Sequence, residues 1–374
     1  MYKDEQNKTI VVLSSHTPSL FWFRMDMMKS FLKLGYSVVA VGNEKYDKWE
    51  KEFKKENIEY RQIYVKRNGT NPLEDFKTYN SIKKVLKEIH PYKIFAYQAK
   101  TVIYGGLAAN SLGITEVYPL IAGVGSVFLK NDLKSKLIKK IMVTEYKLSM
   151  KKSPKVFFQN KDDEKIFFDN KIVKKGKTVM IPGSGVNLQN FKFQTMPNEF
   201  GFLCISRLIK DKGIYEYLEA CKKIKKLYPE VRCLLVGPYD TNPSAITPNE
   251  LQEYINIGVE YFGEQRDVKP YLEQCNVFVL PSYREGTPKA NLEAMASGKA
   301  IITTDATGCR ETVVDKVNGF LVPIKNVEAI VEAMKYFINN PSEAFEMGRE
   351  GRKICENTFD VDIVNRIICA TMKL

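Results

Sequence analysis

Short runs of β-branched and aromatic residues alternate with stretches of helical spacing along this chain, and the alternation runs through twice. "TIVVLSS" reads as a strand and leads into "FRMDMMKSFLKLG", whose apolar positions recur about every 3.6 residues and stop at Gly35. "SVVAVGN", "YRQIYV", "KIFAYQ", "EVYPLIA" and "KVFFQN" continue the strand series as far as Asn160. Strands separated by helices cannot pair as hairpins. They pair in parallel, with the helices as crossovers on the faces of the sheet.

Around Met180 to Asn187, "MIPGSGVN" gathers Pro and small residues without periodicity, and the alternation then restarts. "GFLCISRL", "RCLLVGP", "VEYFGE", "VFVLPS", "AIITTD" and "FLVP" read as strands, with helices such as "GIYEYLEACKKIKKLY" between them. "VEAIVEAMKYFIN" and the segment from Ser342 to Leu374 read as helical. At 374 residues the chain exceeds one ordinary core. The pattern therefore predicts an α/β protein of two doubly wound parallel-sheet domains, 1–187 and 188–355, with a last helical segment, 356–374. Ligands of such sheets bind at the carboxyl ends of the strands and in the cleft between the domains.

Charge separates the halves. Residues 1–195 carry a net +16 and the remainder −3, within a total of +13. A one-sided positive field favours an anionic partner: a nucleic acid, an acidic lipid surface or a phosphorylated substrate. Lysine-rich composition in an AT-rich genome is the plainer alternative. No DNA-binding module or aromatic-studded basic strand is present, which argues against nucleic acid. The seven cysteines lack CxxC spacing and there are two histidines, His16 and His90, so neither a disulfide framework nor a His-rich metal centre is expected. No apolar run approaches the roughly 20 residues of a spanning helix, and "MYKDEQNKTIVVLSS" does not resemble a signal peptide.

Chemistry concentrates at the strand ends of the second half. "ISRLIKDKG" puts Arg207 and Lys212 between a strand and a helix, where a guanidinium, an ammonium and helix amides suit a diphosphate. "FGEQRDV" presents Gly263 and Arg266 in a loop against which a flat base fits. In "PSYREGTPKANLEAMASG", Glu285 lies in the loop and Gly286 permits close approach to the backbone. Glu293 falls about two turns into the next helix, where a carboxylate accepts the hydroxyls of a vicinal diol. Taken singly, each is more often a surface residue or a helix boundary; the order and spacing together carry the signal.

That order resembles the family 4 glycosyltransferases of GT-B fold. Their Glu-x7-Glu signature is matched by Glu285 and Glu293, their upstream basic pair by Arg207 and Lys212, and the segment after the signature by "GCRETVVDKVNGFLV". "FRMDMMKSF", "YGGLAANSLGI", "IAGVGSVF", "GSGVNLQNF", "GPYDTNPS" and "YFGEQRDV" resemble the bacterial subset that extends sugars on undecaprenyl diphosphate; the likeness spans roughly residues 9 to 370.

The resemblance implies two Rossmann-like domains facing each other across a cleft, with the final helix packing back on the N-terminal one. It implies a retaining transferase that moves a hexose or N-acetylhexosamine from a UDP-sugar to a polyprenyl-diphosphate-linked saccharide, without cofactor or metal. Arg207 and Lys212 would neutralise the leaving diphosphate, Glu285 would contact the donor sugar and Glu293 the ribose. Amides near the Gly286, Thr287 and Pro288 turn would help cradle phosphate, and Gly263 and Arg266 would face the base. No protein nucleophile is required. Many relatives carry a His before Gly in the loop matching "LIAGVGSVF"; here Ala122 precedes Gly123, which leaves the donor-sugar contacts open, while Gly123 and Gly125 let substrate pass close to the backbone. His16 either faces the cleft or is a loop residue without a ligand role. Lys100 either meets the acceptor diphosphate or sits on the surface. The segment Phe128 to Lys155 mixes apolar residues with nine lysines. It is either an ordinary half-buried helix or one lying on anionic lipid, with Phe128, Leu129, Leu133, Leu137 and Ile138 dipping inward. The second reading fits a lipid-anchored acceptor and an enzyme peripheral on the cytoplasmic face of the cell membrane.

Overall fold

The computed structural model describes residues 8–66, 69, 71–125, 128 and 132–374. Two compact units form, one from Met1–Ile181 with Val364–Leu374, the other from Pro182–Ile363.

The first unit holds β1 (Thr9–Ser14), β2 (Ser37–Gly42), β3 (Glu59–Gln62), β4 (Lys93–Tyr97), β5 (Val117–Ile121), β6 (Val156–Phe158) and β7 (Thr178–Met180). Among the described residues they make one parallel sheet in the order β3-β2-β1-β4-β5-β6-β7. Helices α1 (Thr17–Lys33), α2 (Tyr46–Lys54), α3 (Pro72–Ile89), α4 (Ala99–Ser111), α5 (Leu133–Ser149) and α6 (Lys161–Asp169) cover it. In β1, Val11 and Leu13 enter one core and Ile10 and Val12 the other, all fully buried. Burial on both faces is why these strands read as continuous apolar runs, and each such side chain contributes about 1.5–3 kcal/mol. Helix α1 begins at Thr17, earlier than its apolar period suggests. Thr17 and Ser19 are buried there on hydrogen bonds to Tyr60 and Tyr97, which polar residues in a sequence do not announce.

The second unit holds β8 (Gly201–Ile205), β9 (Arg232–Val236), β10 (Val259–Tyr261), β11 (Val277–Leu280), β12 (Ala300–Thr304) and β13 (Gly319–Val322), parallel in the order β10-β9-β8-β11-β12-β13. Its helices are α7 (Ile214–Leu227), α8 (Pro248–Asn256), α9 (Lys269–Leu272), α10 (Lys289–Ala296), α11 (Val327–Asn339) and α12 (Pro341–Ile354). A π-helical turn, Cys355–Phe359, buries Cys355 and Phe359 in this unit's core. The segment from Ser342 on is thus helical but broken, and α13 (Val361–Met372) follows the break.

The unit boundaries differ from the 187/188 and 355/356 junctions that the pattern suggests. Val186 donates to the Phe359 carbonyl (2.8 Å) and accepts from Val361 N–H (3.0 Å), which ties residues just after Pro182 into the second unit. On α13, Val364, Ile368 and Met372 are fully buried with Ile10, Val12 and Leu20 of the first unit, and Asn365 Nδ2 donates to Ser30 Oγ at 3.1 Å.

The apolar stripe that α5 exposes shares only Leu133 and Leu137 with the expected one. Phe128 is buried, its ring stacked on Phe167, Ile138 is half-buried, and Leu129 lies outside the described residues. The exposed residues are Leu133, Leu137, Ile141 and Leu148. Tyr146 and Met150, on the opposite side, belong to the core, so packing against α4 and Phe167 of α6 sets the phase of the helix. No helix among the described residues is long and apolar enough to cross a membrane.

Candidate active site

In the second unit the strand order reverses between β8 and β11, where an open α/β sheet offers its crevice. Three loops converge there. After β8 the chain makes a 3-10 turn, Lys210–Lys212, and enters α7 through Gly213 at φ +70°. A Cβ at Gly213 would stand 2.1 Å from the Pro281 carbonyl oxygen, so only glycine lets the loops after β8 and β11 approach this closely. Tyr283 N–H donates to the Asp211 carbonyl at 2.9 Å and joins them.

Lys212 Nζ consequently rests on Glu285 Oε1, which also accepts from Ser282 Oγ at 2.9 Å. The two side chains are 20% and 14% exposed, so water screens the pair weakly. Glu285 N–H donates to the Thr307 carbonyl (2.9 Å), and a Cβ at Gly308 (φ +83°) would come within 2.3 Å of the Glu285 carbonyl oxygen. The loop is braced from below. Tyr283 Oη donates to Glu216 Oε1 on α7 at 2.5 Å, and Thr304 Oγ1 donates to the Ser282 carbonyl. Burial and the Glu216 carboxylate push the Tyr283 phenol well above its ordinary range, so it stays a donor.

The basic pair is held apart by separate carboxylates. Arg207, half-exposed, pairs through Nη1 with Asp240 Oδ2 at 2.8 Å, while Lys212 takes Glu285. Asp240 lies in the loop after β9, brought in by Gly237, whose Cβ would stand 1.7 Å from the Ser206 carbonyl oxygen. The sequence alone does not single out Asp240; its position just past a strand end, after Gly-Pro, was the available signal. Gly263 has φ +68° with open space beside it, and its carbonyl accepts from Gly237 N–H at 2.8 Å; Arg266 is exposed beyond it.

Glu293 sits in the second turn of α10, which begins at Lys289 with Pro288 as N-cap. Its side chain is 16% exposed, and Lys289 Nζ approaches Oε1 at 3.7 Å, so Lys289 is not a purely solvated residue. Burial pushes the Glu293 carboxyl upward, Lys289 opposes this, and Asp267 adds to it. Gly286 and Thr287 complete the turn into α10, and Thr287 packs where a Cβ on Gly183 would lie at 2.8 Å.

The first unit carries the other candidates. His16 precedes α1, half-buried, its carbonyl accepting from Ser19 N–H and Oγ (3.0 and 2.7 Å). Lys100, in the first turn of α4, is neither solvated nor unmatched: Nζ meets Asp75 Oδ1 at 2.6 Å, with both side chains about five-sixths buried. Gly123 (φ +136°) and Gly125 (φ +77°) follow β5, and no described residue would lie within 4 Å of a Cβ at either position.

Comparison with known proteins agrees with this anatomy. Residues 187–354 match the family described as glycosyl transferases group 1, and residues 10–160 match glycosyl transferase 4-like. The chain is 29% identical over 344 residues to the N,N'-diacetylbacillosaminyl-diphospho-undecaprenol alpha-1,3-N-acetylgalactosaminyltransferase of Campylobacter jejuni, covering 88% of this chain and 89% of that one. It is 25% identical to the UDP-Gal:alpha-D-GlcNAc-diphosphoundecaprenol alpha-1,3-galactosyltransferase of Escherichia coli over 70% of each. Among solved structures, sucrose-phosphate synthase of Thermosynechococcus elongatus superposes with a TM-score of 0.78 at 19% identity, over 98% of each chain. With two parallel sheets of seven and six strands, the chain has the GT-B fold and joins a glycosyl transferase 4-like domain to a glycosyl transferases group 1 domain.

Proposed function

We propose that the enzyme transfers a hexose or N-acetylhexosamine from a UDP-sugar, with retention of configuration, to a saccharide carried on a polyprenyl diphosphate. The observation that carries the donor half is the Lys212–Glu285 pair at the β8/β11 switch point, a cation held ready beside a carboxylate where three strand-end loops meet. The acceptor half rests on the two relatives, both named for diphospho-undecaprenol substrates; one name specifies N-acetylgalactosamine and the other UDP-Gal.

In this reading Lys212 and Arg207 neutralise the charge growing on the departing UDP, aided by the positive end of the α10 dipole. The cations do the work that a divalent ion does in other transferases, so activity persists without metal. Glu285 accepts hydroxyls of the donor sugar and Glu293 those of the ribose; Gly263 and Arg266 lie beside the base. The acceptor hydroxyl attacks on the face that UDP leaves, and its proton goes to the departing phosphate oxygen. Helix α5 suits the cytoplasmic surface of an anionic membrane, with Leu133, Leu137, Ile141 and Leu148 exposed in a row among Lys136, Lys140 and Lys147.

The test is a matrix of UDP-hexoses and UDP-N-acetylhexosamines against synthetic polyprenyl-diphosphate sugars, run in EDTA, with UDP release, product mass and anomeric coupling as readouts. One donor should turn over on a lipid-diphosphate sugar and give an α-linkage from an α-donor. Turnover on a soluble sugar or protein alone would overturn the acceptor class; a β-linkage would overturn retention.

A further inference from the structure

The first sheet also has a switch point, between β1 and β4, and an unmatched cation lies beside it. Arg24, on α1, is 3% exposed and makes no ion pair or hydrogen bond with the described residues; its Nε is buried without an acceptor. Its guanidinium contacts are two ring faces, Tyr97 at 5.1 Å and Phe95 at 5.8 Å, both on β4. Tyr97 is the last residue of that strand, so the charge sits at the sheet's carboxyl edge. From there a polar chain runs into the crevice: Tyr97 Oη to Ser19 Oγ (2.8 Å), Ser19 Oγ to Ser14 Oγ (3.2 Å), and Ser14 Oγ to Gln98 Oε1 (3.0 Å).

Gln98 fastens that edge. Its Oε1 also accepts from Ser15 N–H (3.0 Å) and Ser15 Oγ (2.6 Å), and it holds these at φ +70°, a conformation unfavourable for a residue with a Cβ. With its side chain so engaged, Gln98 leaves the amides of the first turn of α4 without a side-chain cap. An uncapped helix start and a buried guanidinium flank the same strand end. Ring faces offset part of the cost of burying a cation, but a buried charge without an acceptor stays far from satisfied. Lys100 does not compete for the role, because Asp75 already matches its charge.

We propose that Arg24 binds a phosphate group of the acceptor's prenyl diphosphate at the carboxyl ends of β1 and β4. The identity of the anion rests on the acceptor class proposed above, the donor's diphosphate being assigned to the second unit. A guanidinium fits such a ligand, since its planar donors match phosphate oxygens two at a time and the anion supplies what the rings do not.

The experiment is calorimetric titration of farnesyl diphosphate, a short soluble prenyl diphosphate, into UDP-saturated protein, for wild type, Arg24→Met and Arg24→Lys. Farnesol serves as the control for the chain alone. Wild type should bind farnesyl diphosphate and not farnesol. Arg24→Met should lose affinity on the order of tenfold or more while Arg24→Lys keeps part of it. UDP affinity should be unchanged in both. Melting of unliganded Arg24→Met should be no lower than wild type, because an unmatched buried charge has been removed. Equal binding by Arg24→Met, weakened UDP binding with farnesyl diphosphate unaffected, or a joint fall in melting temperature and UDP affinity would each overturn the inference and leave the acceptor class standing. Wild type that binds no farnesyl diphosphate would overturn both.

Discussion

Replacing Lys212 with Met tests whether the pair at the switch point is a reaction device or a structural tie. The substitution keeps most of the aliphatic volume and removes the ammonium, leaving Glu285 with the Ser282 hydroxyl in a site where its side chain is 14% exposed. Breaking a fully buried ion pair from one side costs about 3–5 kcal/mol, and an exposed one contributes about 1 at most. A pair four-fifths enclosed falls between, at about 2 kcal/mol. For a unit of this size that is a fall in melting temperature of roughly 4–8 °C. The effect on rate has a different origin. Losing one preorganised donor to developing negative charge costs roughly 10²–10³ in kcat. Adding Glu285→Gln separates the two effects, because the double variant no longer strands a carboxylate: it should recover most of the lost stability and none of the lost turnover. Scanning fluorimetry and steady-state UDP release measure the two sides. If Lys212→Met turns over at near wild-type rate, or if the second substitution restores rate along with stability, the diphosphate role is wrong.

Other outcomes follow from the same geometry. Glu293→Gln should melt higher than wild type without ligand at pH 7 yet bind UDP more weakly. Burial raises the folded carboxyl above its unfolded value of about 4.3, so the native state holds its proton longer, and wild-type stability falls as pH climbs through that window while the variant's does not. Gly308→Ala should cost roughly 2 kcal/mol and impair turnover, since its Cβ meets the Glu285 carbonyl oxygen at 2.3 Å and displaces the loop carrying that residue. Leu137→Glu with Ile141→Glu should abolish flotation with anionic liposomes and spare melting temperature, both positions being more than half exposed; wild-type flotation should weaken with salt. Flotation unchanged by the double variant would remove α5 from the membrane reading.

Parallel strands were legible because both their faces are buried, so "TIVVLS" shows no alternation to misread. The glutamates, Lys212 and the loops were legible because strand ends fix where loops converge. Pairings over long separations were not. Nothing near Arg207 points to Asp240, 33 residues on, and nothing near Lys100 points to Asp75; both depend on which loops or helices become neighbours. The stripe of α5 was only partly legible, at Leu133 and Leu137, for a related reason. Apolar residues occur on both sides of that helix, and only contact with α4 and core rings such as Phe167 decides that Tyr146 turns in and Ile141 and Leu148 out. The early start of α1 was hidden by Thr17 and Ser19, whose burial needs tyrosine partners from other strands.

The return of α13 to the first unit makes that unit discontinuous in the chain. On the ribosome, residues 182–363 emerge whole, with every strand of their sheet in hand, while residues 8–181 still lack Val364, Ile368 and Met372 for the face containing Ile10 and Val12. The half made first is therefore completed after the second, and until α13 clears the exit tunnel it presents an open apolar face to chaperones and to other nascent chains. A premature stop or a protease nick just before Val364 would strike the first unit and leave the second whole.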